Sequence, residues 1–271
     1  MRSALYVPGN RPELFDKALS GPADIVLIDL EDAVPLADKE SARREVAQWS
    51  RTVTTPGRLW VRVNPGEMGH ADLAAVAAPA VAAFCLAKTE SAQQVRAVDE
   101  ILARHEHSTG AIRVCPLVET ASAVFAAHEI ARAPRVLRLQ IGEADLCAEV
   151  GITPGPDERE LAAIRGQVVL ASAAAGIAAP LGPVRTDFRD LDGLRVSTLA
   201  LWRLGFRGRA CIHPAQVPVV NEIFTPAPEE IARARTLVTR FEAAEGGVIL
   251  DEAGRMVDHA VIRQARRLLA Q

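Results

Sequence analysis

Charged and polar side chains follow the apolar segments of this sequence at regular places. Buried parallel strands read as nearly continuous apolar runs, and barrel enzymes place their reactive groups at the carboxyl ends of such strands. Strand ends also meet solvent, so part of this charge could be simply hydrated, but the regular clustering favours an active site. In chain order these residues are Asp29, Glu31, Asp32, Arg62, Asn64, Lys88, Glu90, Glu119, Glu143, Asp145 and His213.

Two of these carboxylates, Glu119 and Asp145, end consecutive segments, IRVCPLVE and VLRLQIGEAD. We expect them at the ends of adjacent strands, where side chains stand about 5 Å apart. Two carboxylates that close repel each other, and one takes up a proton unless a cation lies between them. Mg²⁺ accepts one or two carboxylates together with water and substrate oxygens, so the pair indicates a magnesium site.

Arg62 lies inside the apolar run WVRVN. An arginine within a buried strand must be paired or must face a polar cavity. One interpretation is a structural ion pair with a nearby acid, such as Asp29 or Asp32. The other is a guanidinium fork for a substrate carboxylate or carbonyl oxygen. Both can hold, because a paired acid would also orient the fork.

The segment PGNRPELFDKA places Arg11 and Lys17 just after the first apolar run. Two cations near a strand end in a weakly acidic protein could bind phosphate groups. On pattern alone, solvated helix charges explain them equally well.

The elements that must position these residues alternate between short apolar runs and longer amphipathic stretches. Eight such strand–helix units occupy about 225 residues, which favours a (β/α)8 barrel over an open doubly wound sheet. No glycine-rich phosphate fingerprint follows the first strand, which argues against a dinucleotide-binding fold. We therefore predict a catalytic barrel over residues 1–224 and a C-terminal helical extension over residues 225–271 that packs on it or reaches a neighbouring subunit.

Composition excludes several classes of protein. The 271 residues carry a formal charge of −3, which is unsuited to general nucleic-acid binding. The longest apolar stretch, residues 73–87, is too short for a membrane span and is broken by Pro79. The N-terminal residues do not resemble a signal peptide. The four cysteines are scattered without a CxxC pair, which favours buried thiols in a reducing cytoplasm.

Several motifs together resemble one known family. They are RSALYVPGNRP, DIVLIDLEDAVP, VRVN, PLVETASAV, GEADL, LGFRGRACIHPAQVPVVNEIF and GRMVD. Their order over essentially the whole chain resembles the citrate lyase beta-subunit-like branch of the HpcH/HpaI aldolase superfamily, which includes malyl-CoA and citramalyl-CoA lyases.

This resemblance implies a (β/α)8 barrel that assembles as a trimer or as a hexamer built from two trimers. It implies that Glu119 and Asp145 hold Mg²⁺ and that Glu119 also lies against the substrate. Arg62 then contacts the 2-oxo-acid half, and Asp32, together with its acidic neighbours, orients Arg62 and metal-bound water. Asp258 in GRMVD acts as a catalytic carboxylate delivered from a neighbouring subunit.

The same resemblance places coenzyme A against Tyr6, Arg11 and Lys17. Two departures from the family pattern stand out. Gly182 in PLGPVRTD occupies a position where many members carry Asp, and the metal motif reads GEAD where relatives often read GAED. The first concerns the loop near the substrate, and the second places Glu143 one residue early while Asp145 keeps its place.

The predicted reaction is cleavage of a 3-hydroxyacyl-CoA thioester into an acyl-CoA and a 2-oxo acid. The metal and Arg62 take up charge as the hydroxyl becomes a carbonyl, and Asp258 or a nearby group moves the proton. The open alternatives are a citrate lyase beta subunit, a malyl-CoA thioesterase or malate-synthase-like enzyme, a free 2-oxo-acid aldolase, and a non-catalytic CoA or oxo-acid binding protein.

Overall fold

In the computed structural model, the apolar segments of the first 224 residues form a parallel sheet of seven strands. The structure describes residues 1–106, 108, 110–244, 247–251 and 253–270. The strands are β1 (Ser3–Pro8), β2 (Ile25–Asp29), β3 (Leu59–Val63), β4 (Val81–Leu86), β5 (Arg113–Val118), β6 (Gln140–Ile141) and β7 (Arg209–Cys211). Their order across the sheet is β6-β5-β4-β3-β2-β1-β7, and every pairing is parallel.

Helices connect these strands, as right-handed crossovers in a parallel sheet require. They are α1 (Phe15–Leu19), α2 (Lys39–Ser50), α3 (Gly66–Val76), α4 (Ala92–His105), α5 (Ala121–Ala131), α6 (Glu143–Val150), α7 (Ala162–Ala175), α8 (Leu191–Leu204) and α9 (Gln216–Phe224). Local sequence defines several starts: Ser91 and Gln94 form a capping box before α4, and the Thr120 hydroxyl caps α5. The predicted α/β architecture is confirmed.

Two apolar layers cover the two faces of this sheet. Side chains alternate along a strand, so Val26 and Ile28 of β2 belong to the larger cluster that includes the helices. Ile25 and Leu27 point to the other face and join a smaller cluster with the fully buried Trp60. The smaller cluster lies beneath the strand ends that carry the charged residues.

The seventh of the eight predicted strand–helix units begins with a weaker apolar run around residues 181–186, and this run does not form a regular strand. It contributes two isolated parallel bridges, one between Leu181 and Gln140 and one between Gly182 and Arg209. The sequence there, PLGPVR, contains two prolines that cannot donate to a ladder. The regular sheet therefore has seven strands, and a complete eight-stranded barrel stays a prediction.

The sixth predicted strand is also shorter than the apolar run suggested. Gly142 ends β6, and helix α6 begins at the next residue. Asp145 therefore lies in the first turn of α6 and not at a strand end, which corrects the sequence prediction. Acidic residues are favoured in a first helical turn by the unpaired backbone N–H groups.

Residues 225–271 form a second compact unit. It contains α10 (Pro228–Ala243), an antiparallel pair of short strands β8 (Ile249–Leu250) and β9 (Met256–Val257), and α11 (His259–Leu269). Phe241, Val257 and Ile262 form its small core. Among the described residues, no helix is both long and apolar enough to cross a membrane.

Candidate active site

A buried ion pair lies at the carboxyl ends of β2 and β3. The register pairs Asp29 with Arg62, so their side chains rise from neighbouring positions on one face. Arg62 donates from Nε to Asp29 Oδ1 at 2.6 Å and from Nη2 to Oδ2 at 2.5 Å. Asp29 also accepts the backbone N–H groups of Glu31 and Ala33, so its orientation is fixed from both sides. Arg62 is therefore paired, as one interpretation expects, and it also lines a cavity, while its contact with a substrate stays a prediction.

Glu31 contacts the same guanidinium. Arg62 Nη1 lies 2.9 Å from Glu31 Oε2, and the other Glu31 oxygen accepts from Lys88 Nζ at 2.7 Å. Burial alone would lower the pKa of Arg62, but the hydrogen bonds to Asp29 and the nearby carboxylates raise that pKa above its ordinary value. Arg62 therefore carries a permanent charge although its side chain is only 12% exposed.

Glu119 lies directly after β5 and is 3% exposed. Its Oε1 accepts the backbone N–H of Lys88 at 2.6 Å. Burial raises the pKa of Glu119 to about 8; the Lys88 hydrogen bond opposes this, while the charges of Asp145 and Glu31 act in the same direction as burial. Ionisation of Glu119 is therefore costly in this cavity, and a bound cation would lower that cost.

One cavity of about 400 Å³ brings these groups together. Its lining comes from strand ends and from the first turn of α6: Tyr6, Pro8, Asp29, Asp32, Ala33, Arg62, Leu117, Glu119, Gln140, Ile141, Gly142, Glu143, Ala144, Asp145, Val184 and Ile212. Five of these residues are acidic and Arg62 is the one basic residue among them, so the lining attracts a cation.

The donor set fits a hard divalent cation. Glu119 and Asp145 offer carboxylate oxygens, and the charge of Asp145 contributes to the raised pKa of Glu119, which a bound cation would counteract. Across the part of the chain that the structure describes, no group of three His, Cys, Asp or Glu side chains is arranged to hold a metal. Mg²⁺ needs no such cage, because it keeps several waters and takes one or two protein carboxylates.

The structure brings most of the predicted site residues together but not all of them. Tyr6 joins Asp32, Arg62, Glu119 and Asp145 in the cavity lining. The Tyr6 ring centroid lies 5.1 Å from the Arg62 guanidinium carbon, and the Tyr6 hydroxyl accepts from Gln140 Nε2 at 2.9 Å.

Three predicted residues lie outside that lining. Arg11 and Lys17 are exposed on the segment after β1, and Arg11 pairs with Glu13. Asp258 belongs to the second unit, where its Oδ1 caps α11 by accepting from the N–H groups of Ala260 and Val261. These hydrogen bonds lower the pKa of Asp258.

Sequence reasoning gave no role to three residues that shape the site. Lys88 has a left-handed backbone, with φ of 51°, which lets its amide reach Glu119 while its ammonium group reaches Glu31. Gly142 leaves space for Glu119, since a Cβ there would lie 2.6 Å from Glu119 Cβ. Gln140 orients Tyr6. The position of Lys88 after an apolar run indicated that it could lie at the site, but nothing in the sequence indicates its left-handed backbone.

The fold and this site define an α/β protein with an acidic cavity suited to Mg²⁺ at the carboxyl ends of parallel strands. The sequence profile of the HpcH/HpaI aldolase/citrate lyase family matches residues 2–214. The chain belongs to this family, which confirms the resemblance noted in the sequence.

Similar proteins of known name extend this result. A (3S)-malyl-CoA thioesterase of Cereibacter sphaeroides is 35% identical over all of this chain and 94% of its own length. A citrate lyase subunit beta of Leuconostoc mesenteroides is 31% identical over 99% of this chain and 92% of its own. The crystal structure of CitE from Mycobacterium tuberculosis in complex with magnesium, acetoacetate and coenzyme A has a TM-score of 0.81 and 34% identity, covering 99% of this chain and 97% of that one.

The raised pKa of Glu119 predicts a pH-dependent stability. The folded protein holds this proton up to about pH 8, whereas the unfolded chain releases it near the ordinary value of 4.5. The free energy of unfolding in EDTA should therefore fall as pH rises between these values, because the folded state binds more protons there. Urea unfolding from pH 4 to pH 9 measures this, and Glu119→Gln should lack that part of the decline. Parallel pH profiles for the two proteins would contradict the prediction.

Gly142→Ala should destabilise the fold by about 1–3 kcal/mol, because the added methyl group overlaps the buried Glu119 side chain. Gly166→Ala is the matched control, since nothing lies within 4 Å of a Cβ at that helical position. The control should stabilise the protein by roughly 0.5–1 kcal/mol through helix propensity. Urea unfolding of both variants tests the contrast, and equal effects would show that Glu119 does not need the space.

Proposed function

We propose that this protein is a Mg²⁺-dependent carbon–carbon lyase. It cleaves a 3-hydroxyacyl-CoA thioester of the malyl-CoA or citramalyl-CoA type into an acyl-CoA and a 2-oxo acid. The observation that carries the proposal is the single cavity in which the carboxylates of Glu119 and Asp145 accompany the paired guanidinium of Arg62. Membership of the aldolase/citrate lyase family supports it.

The proposed fold is a closed (β/α)8 barrel. The bridge from Gln140 to Leu181 and the bridge from Gly182 to Arg209 support closure, because they connect the two edge strands β6 and β7 through residues 181 and 182. A ring of this kind would explain why the charged strand ends converge on one cavity.

Glu119 and Asp145 would hold Mg²⁺. When bound, the ion supplies Lewis-acid stabilisation of negative charge on a substrate oxygen. The complex of the similar CitE protein with magnesium supports this cofactor.

Arg62 would bind the 2-oxo-acid half. Asp29 engages its Nε and one Nη2 hydrogen, which leaves further N–H groups of the guanidinium for a substrate carbonyl or carboxylate. As the C2–C3 bond breaks, its electron pair moves to the thioester enolate and the hydroxyl proton passes to a water molecule in the cavity, so a carbonyl forms beside Arg62. Asp29 and Glu31 keep the guanidinium in place, and Asp32 lies close enough to the cavity to orient water.

Asp258 would transfer the proton of the acyl-CoA carbon from a neighbouring subunit of a trimer or hexamer. As a carboxylate, it could remove the acyl-CoA proton in the condensation direction in the role of a general base. In cleavage, the protonated form returns that proton to the enolate carbon.

Coenzyme A would bind at the amino-terminal end of the chain. Arg11 and Lys17 are exposed cations suited to its phosphates, and Tyr6, whose ring lies against Arg62, would lie near the reacting end of the coenzyme. The four cysteines are free, which supports a reducing cytoplasmic location.

Two other reactions have specific support. Similarity to a malyl-CoA thioesterase favours hydrolysis of the thioester by water, and similarity to a citrate lyase beta subunit favours a citryl thioester with oxaloacetate as product. Arg62 and the two carboxylates would serve both.

The products distinguish these reactions. Incubated with Mg²⁺ and malyl-, citramalyl- or citryl-CoA, the protein should form acetyl-CoA with glyoxylate or pyruvate, which chromatography of thioesters and oxo acids detects. Free CoA with malate would show a thioesterase, and oxaloacetate would show the citryl reaction.

Glu119→Gln should lower turnover at least about 100-fold, because the variant loses one of the two proposed metal carboxylates. Glu67→Gln is the control: the Glu67 side chain is 98% exposed, and turnover of this variant should equal that of wild type.

Asp258→Asn should lower kcat at least about 100-fold, the usual scale for a general acid or base, with little change in KM. Asparagine caps a helix as well as aspartate, so α11 should stay intact, whereas Asp258→Ala should also lose stability. Steady-state kinetics and circular dichroism separate the two effects. A rise in KM alone would make Asp258 a binding residue.

A further inference from the structure

The acidic cavity contains a third carboxylate beside the proposed metal pair. Glu143 opens α6, two residues before Asp145, and lines the same cavity. Unlike Glu119 and Asp145, it is fully engaged by one partner: Arg165 Nε donates to Glu143 Oε1 at 2.6 Å, and Nη2 donates to Oε2 at 2.7 Å. This is the two-pronged geometry in which arginine binds carboxylates most tightly.

Arg165 lies on α7 and is itself anchored. It is 4% exposed, and its Nη2 also donates to Glu158 at 2.7 Å. Glu158 has a left-handed backbone, with φ of 52°, and accepts the Ser197 hydroxyl of α8 at 2.9 Å. The first turn of α6 is therefore connected through Arg165 to two other helices by buried charge-assisted hydrogen bonds.

We infer that Arg165 and Glu143 form a positioning pair that sets the first turn of α6 and so aims Asp145 at the proposed metal. This inference rests on the proposed function, because it concerns the affinity of the Glu119–Asp145 pair for Mg²⁺. The pair also cancels the charge of Glu143, so that this carboxylate stays out of the metal's coordination. The absence of a three-carboxylate metal cluster among the described residues agrees with that role.

The pairing matters because the three carboxylates occupy one small volume. A free Glu143 would add repulsion at Glu119, whose pKa is already raised, and would so increase the cost of ionising that proposed metal carboxylate. Because Arg165 is buried on α7 and neutralises Glu143, the pair fixes the first turn of α6 relative to α7. Asp145, the proposed metal carboxylate, lies in that turn. Partners of this kind, which hold a ligand-bearing segment without touching the metal, change metal affinity about 10- to 100-fold when removed.

Isothermal titration of the full-length protein with MgCl₂ tests the inference. Arg165→Met and Glu143→Gln should each raise the Kd for Mg²⁺ about 10- to 100-fold, and the double variant should lose no more than the worse single variant, because the residues act as a unit. Arg165→Lys keeps the charge but not the fork and should lie between. In steady-state assays, kcat at saturating Mg²⁺ should return to within a few-fold of wild type.

Arg195→Met is the matched control. Arg195 also forms a two-pronged pair, with Glu222 and through Nη1 and Nη2 at 2.7 Å, but this pair is on the exposed surface and outside the cavity lining. Its Kd for Mg²⁺ should equal that of wild type.

An unchanged Mg²⁺ Kd in Arg165→Met, or losses that add in full in the double variant, would overturn the inference and leave the proposed function standing. A wild-type protein that binds no Mg²⁺ would overturn both. If Arg165→Met does not fold, the milder Glu143→Gln and Arg165→Lys variants decide the matter by the same Kd.

Discussion

Arg62 is an arginine inside a β-strand, and a guanidinium with so little exposure needs carboxylates in contact with it. The parallel register places Asp29 opposite Arg62, and the turn after β2 returns Glu31 to the same group. The backbone N–H of Glu31 in that turn donates a hydrogen bond to Asp29. The remaining geometry of the cavity depends on this buried pair, since it fixes one permanent cation among five acidic side chains.

Lys88 joins this ion pair to the second half of the site. Its ammonium group neutralises Glu31, and its amide holds Glu119 in the position where burial and neighbouring charge make ionisation costly. A substitution that disturbed the left-handed backbone at Lys88 would therefore affect both halves. Glu143 differs from Glu119 in its partner. Arg165 neutralises the charge of Glu143, whereas Glu119 accepts the backbone N–H of Lys88 and, among the described residues, has no such cationic partner in its hydrogen bonds.

The relatives of this chain carry the names of different reactions, a thioesterase and a lyase subunit. Cleavage of a carbon–carbon bond beside a thioester and hydrolysis of the thioester both develop negative charge on an oxygen. A paired guanidinium beside two carboxylates that accept a divalent ion can stabilise either charge. Under the proposed function, this is a physical reason why relatives in one family carry the names of both reactions.

The sequence by itself determined the parallel α/β architecture, the family and the charged residues of the cavity lining, because apolar strand cores and the charges that follow them are local patterns. It did not determine where strands end: β6 stops before Gly142, which moves Asp145 into a helix, and the prolines on either side of Leu181 and Gly182 prevent a regular strand. It also could not reveal that Arg165 pairs with Glu143 or that Lys88 adopts a positive φ. These features depend on packing between segments distant in the chain, so only the tertiary structure decided them.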